Sequence, residues 1–171
     1  MSELRLRPLR LADEEAVVAA HEVMATTDKF DFALFYTGQP WADYLAQLDF
    51  LRAGVGLPSE RVASTFLVAE VDDEIVGRTS IRHTLNDFLK VYGGHIGYGV
   101  LPAHRRRGYA AEILRQSLVV TRSLGIDRAM LTCDDTNVGS VRAIETCGGQ
   151  LDCVNGPDEY NDVRWRRYWV A

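Results

Sequence analysis

The segment from His95 to Cys133 constrains the fold of this chain more than any other. It reads as strand, arginine-rich loop, amphipathic helix, strand. The first strand runs from His95 to Leu101 and is interrupted by Gly97 and Gly99. Glycines inside a strand mark a bulge or a close approach of the backbone to a ligand. The loop carries Arg105, Arg106, Arg107 and Gly108. The helix from Gly108 to Leu124 places Ile113, Leu114 and Leu118 on one face, and Gly125 closes it. Arg128 to Cys133 supplies the second strand. A strand–helix–strand unit of this kind calls for a right-handed parallel crossover, which places the chain among the α/β (α+β) folds.

The flanking pattern supports one domain over residues 1–171. Leu4, Leu6 and Leu9 suggest a first strand. Asp13-Glu14-Glu15 open a helix through about Met24, with acids in the first turn where the helix dipole favours them. Pro40 begins a second helix carrying Trp41, Tyr44, Leu45, Leu48 and Leu51. Phe66–Val71 and Ile75–His83 form a hairpin around Asp72-Asp73. A shorter helix spans Asn137 to Cys147. Leu151–Asn155 and Val163–Val170 form a terminal hairpin around Gly156-Pro157. The expected architecture is a mixed, mostly antiparallel twisted sheet of six to seven strands with helices on both faces.

Composition excludes several functions. A net charge of −5 argues against a nucleic-acid binder. No apolar stretch approaches membrane-spanning length. The start of the chain lacks an apolar signal core, so a cytoplasmic location is expected. Cys133, Cys147 and Cys153 are odd in number and form no CxxC pair, so neither a disulfide framework nor a metal site is expected. The Tyr168-Trp169 strand is a candidate homodimer edge, with core packing as the competing reading.

The chemistry concentrates in Tyr98 to Ala110. A helix N-terminus presents unpaired N–H groups and partial positive charge, which suit a pyrophosphate. Gly108 lets the backbone approach phosphate oxygens, and Arg105, Arg106 and Arg107 add charge. Neither G-x-G-x-x-G nor a Walker loop is present. Arg105-Arg106-Arg107-Gly108-Tyr109-Ala110 resembles the acyl-CoA signature of the GNAT acetyltransferase superfamily, (Gln/Arg)-x-x-Gly-x-(Gly/Ala), at its usual place between strand and helix. The resemblance spans about residues 4–170. It is most specific from Gly77 to Gly149, and it extends to a subgroup of bacterial acetyltransferases with no settled substrate.

That resemblance implies an acyl-CoA N-acyltransferase fold and acetyl-CoA as co-substrate, without metal. It implies direct attack of an amine on the thioester, with a small-molecule primary amine as acceptor. Acetylation of a protein N-terminus or lysine, and a non-catalytic acyl-CoA-binding module, are the alternatives. A backbone N–H at Val100 would polarise the thioester carbonyl. Arg105, Arg106, Arg107, Gly108, Tyr109 and Ala110 would hold the cofactor, with Tyr109 suited to packing as well. In the family an asparagine follows a strand that splays from its neighbour, and the pantetheine arm lies in that gap. Asn137, at this place, reads equally as a helix N-cap and a cofactor contact, and Ser140 follows it as a further candidate contact. His83 and His95 are the candidate bases. Many family members carry a tyrosine acid where this chain has Ile144, and Tyr98 and Tyr109 are candidate stand-ins. Arg82 and Asn86 are candidate substrate contacts. The aromatic region from Phe30 to Trp41 and the loop from Asn155 to Asp162 are expected to flank the acceptor.

Overall fold

Asp72 and Asp73 both take left-handed backbone angles, with φ of 49° and 63°. Two such residues make the tight turn whose twist matches a β-hairpin, so strand β2 (Ser64–Val71) folds directly onto β3 (Glu74–Arg82). The computed structural model containing this hairpin describes residues 3–171. Met1 and Ser2, at the start of the stretch read as lacking a signal core, lie outside the described residues. Strand β1 (Arg5–Arg7) pairs antiparallel with β2, and β4 (Ile96–Val100) pairs antiparallel with β3. The first sheet therefore runs β1-β2-β3-β4.

The second sheet is separate. Its strands are β5 (Ala129–Asp134), β6 (Gln150–Asn155) and β7 (Trp165–Val170), in the order β5-β7-β6 with antiparallel pairing throughout. The expected single mixed sheet is thus broken between β4 and β5, and the parallel ladder expected of the 95–133 unit is not formed. The order also corrects the reading of Tyr168-Trp169 as a dimer edge. β7 has a partner on each side, and Tyr168 is fully buried. The outer strands of this sheet are β5 and β6.

Helices cover both faces. Helix α1 (Glu14–Asp28) and α2 (Trp41–Ala53) lie on one side. Their apolar faces, with Val17, Ala20, Met24, Trp41 and Tyr44, pack on Phe66 and Val68 of β2. Helix α3 (Tyr109–Ser123) and α4 (Val138–Thr146) lie on the other side. There Leu114, Leu118 and Ile144 pack against Ile81 and Ile96 of the first sheet and Leu131 and Tyr168 of the second. One apolar cluster therefore spans the break and holds the two sheets together. Burial at about 25 cal/mol per Å² makes such a cluster the main cohesive force across it.

Candidate active site

The site begins where the two sheets meet. The N–H of His95 donates to Met130 O at 2.7 Å. The N–H of Met130 donates back to His95 Nδ1 at 2.9 Å. Gly94 reaches so close to β5 that a Cβ there would lie 2.2 Å from Met130 O. Beyond this junction no ladder joins β4 to β5 among the described residues.

Alternation along β4 decides what faces the opening. Arg82 N–H bonds His95 O, Leu101 N–H bonds Val76 O, and Gly77 stands opposite Val100. Antiparallel strands direct alternate residues' N–H and C=O groups to opposite sides. Gly97, Gly99 and Leu101 therefore turn toward β3. Ile96, Tyr98 and Val100 turn their N–H groups outward into the gap. The interior glycines of β4 have a different use from the one expected. A Cβ at Gly97 would meet the Arg82 guanidinium at 3.2 Å, and one at Gly99 would meet the Phe30 ring at 2.7 Å. They admit the chain's own side chains on the α1–α2 face.

At the far end of β4 the chain passes through a single 3₁₀ turn, Pro102–His104, into the arginine loop and α3. Gly108 caps α3 with φ of +83° and open space where a side chain would project. The first long-range helical bond runs from Glu112 N–H to Gly108 O, so the N–H groups of Gly108 to Ala111, including Tyr109 and Ala110, precede the intrahelical ladder. The three arginines differ in position. Arg105 donates to Val100 O at 3.1 Å and pairs with Asp28 at 2.5 Å, clipping the loop to β4 and to the end of α1. The pairing holds the Asp28 carboxyl below its ordinary range. Arg106 has left-handed backbone, and its side chain is exposed. Arg107 reaches Ala103 O at 3.4 Å.

Asn137 caps α4, its Oδ1 accepting from Ser140 N–H at 3.0 Å. This leaves its side-chain N–H₂ uncommitted among the described residues. The Tyr98 hydroxyl donates to Ser140 O at 3.5 Å across the gap, and burial pushes its pKa up to about 12. Ile144, in place of the family tyrosine, is fully buried in the cluster that joins the sheets.

The two candidate bases differ in position: His95 stands at the junction, next to Ile96, whereas His83 lies farther off. His83 follows β3, six residues beyond Gly77, the partner of Val100, a separation of roughly 20 Å at strand rise. Its Nε2 shares a hydrogen bond with Thr65 Oγ1 at 2.8 Å, and burial lowers its pKa. His95 is lowered by burial and by Arg82. Because its Nδ1 accepts from Met130, the neutral ring carries its proton on Nε2.

Arg82 is largely buried, donates to Gly94 O at 3.2 Å, and has its pKa lowered by burial. Asn86 is committed locally, bonding Leu89 N–H and Glu60 O. Sequence reasoning passed over Arg78. Its guanidinium is buried beneath Phe30 and bonds the carbonyls of Asp31, Phe32 and Gly97. Burial pushes its pKa down to about 9. The aromatic region expected to flank an acceptor is mostly core, since Phe32 and Trp41 are buried and Tyr36 packs on Tyr44. A second set of aromatics, Phe88, Tyr92, Tyr160 and Trp165, lines a cavity between the β3–β4 connection and the β6–β7 hairpin. Sequence reasoning named Asn86 and the loop from Asn155 to Asp162 in these segments but not Phe88, Tyr92 or Trp165, whose role depends on the two segments meeting in space.

The family model described as an acetyltransferase (GNAT) domain matches residues 3–150. The chain belongs to this family. Solved structures share its fold at low identity. RimJ of Mycobacterium smegmatis, solved in complex with CoA-disulfide, is 17% identical with a TM-score of 0.71, covering 98% of this chain and 81% of its own. The structure of yncA from Salmonella typhimurium, with its cofactor acetyl-CoA, is 16% identical with a TM-score of 0.67 over 98% and 92% of the chains. A GnaT-family protein from Bordetella pertussis is 20% identical with a TM-score of 0.68 over 98% and 95%. No curated protein sequence matches the chain. No helix among the described residues is long and apolar enough to cross a membrane, and no cluster of metal-binding side chains occurs among them.

Proposed function

We propose that this GNAT domain transfers the acetyl group of acetyl-CoA to the primary amine of a small molecule. The observation that carries the reading is the outward edge of β4. Its Tyr98 and Val100 N–H groups face a gap that no strand fills, and the same strand leads directly into the N–H groups of Gly108 to Ala111. An extended thioester arm can pair with the first set while its pyrophosphate meets the second. The carbonyl oxygen then lies on a preorganised donor, a contact commonly worth about 3 kcal/mol in the transition state. The uncommitted amide of Asn137 and the backbone around Ser140 form the opposite rim. The cavity beside β5 favours a small acceptor over a protein segment.

The neutral amine attacks the thioester carbon, the C–S bond breaks, and the thiolate leaves. A thiol pKa near 8.5 makes it a tolerable leaving group. Tyr98, with its pKa pushed up to about 12, stays protonated, and its hydroxyl is turned to Ser140 O, so the thiolate leaves without a proton from it. His83 and His95 are both held by structural contacts, so the amine sheds its proton to water. Thiol release from acetyl-CoA with a panel of primary amines tests the reading. Amine-dependent release is expected, with kcat/KM rising with pH toward the acceptor's own pKa. His83→Ala and His95→Ala are expected to cost less than about tenfold in kcat, short of the 10²–10⁴ of a lost general base. A break below the ordinary histidine range that disappears in one of them would return the base role to that histidine. Release that no amine stimulates would leave an acyl-CoA-binding module.

A further inference from the structure

A cavity of about 280 Å³ is bounded by β5 at Thr132, Cys133 and Asp134, by the β3–β4 connection and by the β6–β7 hairpin with the start of β7. Its wall is aromatic. The Tyr92 ring lies 5.2 Å from Phe88, 5.8 Å from Tyr160 and 5.3 Å from Trp165, centroid to centroid. The Tyr92 hydroxyl donates to Asp158, which ties the two segments together. Phe88 and Tyr160 are 57% and 69% exposed, so their rings are open to a ligand entering the cavity.

The charge is one-sided. Asp134 faces the cavity without an ion-pair partner among the described residues, whereas its neighbour Asp135 is taken by Arg166. No lysine or arginine lines the space. Trp165 is 3% exposed, and its indole N–H has no hydrogen-bond partner although it lies near enough to Asp158 to help lower that carboxyl. A buried donor left unmatched at a cavity wall is satisfied by a ligand oxygen or a water.

We propose that this cavity binds a small organic cation, the acceptor amine in its ammonium form, between the aromatic faces and Asp134. Ring faces attract cations electrostatically, and an unpaired carboxylate at the same wall selects the same sign. An anion would meet the Asp134 carboxylate at the same wall, with no lysine or arginine lining the space to offset it. The proposal rests on the amine-acetyltransferase reading, because the cavity shares β5 with the gap. Captured there, the ammonium gives its proton to water before the nitrogen attacks.

The test uses benzyltrimethylammonium, which cannot be acetylated, and phenylacetate of similar size, each titrated calorimetrically into the full chain. Saturable one-to-one binding of the cation is expected, with the anion at least about tenfold weaker. Asp134→Asn and Phe88→Ala should each weaken the cation about 5- to 30-fold. Both side chains are exposed enough for the variants to fold, which a melting curve checks. The cation should also compete with amine acceptors in the thiol-release assay. Equal affinity for both ions, no binding of the cation, or unchanged affinity in both variants would overturn the site. Cation binding without amine-dependent thiol release would uphold the site and sink the transferase. Amine acetylation whose KM ignores Asp134→Asn would do the reverse.

Discussion

Gly97, Gly99 and Ile144 show how strongly a residue's meaning depends on what stands opposite it. In sequence the two glycines look like openings for a ligand. In the fold they make room for Arg82 and Phe30 on one face of β4, while the ligand-facing features of that strand are backbone N–H groups that any residue could supply. Ile144 looks like a vacated tyrosine site. It is instead packed against Ile81, Leu114 and Tyr168, with Gly149 so near that a Cβ on the glycine would touch its methyl group at 2.4 Å. Ile144→Tyr therefore adds bulk to a filled core and buries a hydroxyl. The expected cost is about 2–4 kcal/mol, read as a lowered urea midpoint at constant slope. A stable variant with raised turnover would mean that the α4 side of the core opens onto the gap.

At the scale of elements, the helix α3 and the loop before it act as one part. Arg105 is the first residue of the signature, yet its side chain points back to Val100 O and to Asp28 at the last turn of α1. It holds the loop in shape so that the N–H groups after it converge. Asp28 is half-exposed and the pair is open to solvent, so its contribution to stability is small. Its effect on the loop should be seen in cofactor affinity. Asp28→Asn is expected to weaken acetyl-CoA about two- to fivefold at nearly unchanged kcat; an unchanged Kd would show that the loop needs no clip. The elements themselves were legible within a few residues. The Asp72-Asp73 turn, the Gly125 stop and the heptad-like face of α3 are local signals, fixed by backbone sterics and hydrophobic period. The break between β4 and β5 was legible only through the family resemblance, which implied a splay before Asn137, and no local signal marks it. Its closed end is fixed by Gly94 against Met130 and by the His95 ring accepting from the Met130 N–H, contacts between segments more than thirty residues apart in sequence. The cavity was half legible for the same reason, since Phe88 and Tyr92 gain their role only where the β6–β7 hairpin folds over them.

For the molecule as a whole, the two sheets are joined by the bonds of Gly93 and His95 to Thr132 and Met130, by the Tyr92–Asp158 tie, and by the apolar cluster around Ile144 on the α3–α4 side. A cofactor lying along β4 would add a further connection, between the β4 edge and the α4 rim, made only in the folded state. Ligand binding of this kind stabilises by mass action. At about 100 times the dissociation constant the gain is roughly 2.7 kcal/mol, which for a chain of this length is a melting shift of about 5–10 °C. The expected result is such a shift with acetyl-CoA and its near-complete loss in Gly108→Asp. Gly108 is exposed, with nothing within 4 Å of its Cβ position, so aspartate clashes with no neighbour. It brings backbone strain at φ of +83° and a negative charge where the pyrophosphate would sit. The melting point of the unliganded variant separates strain from the lost ligand effect. A variant that melts lower yet keeps the full shift would place the cofactor away from the α3 N-terminus. The outward N–H groups of β4 would then have to find another partner.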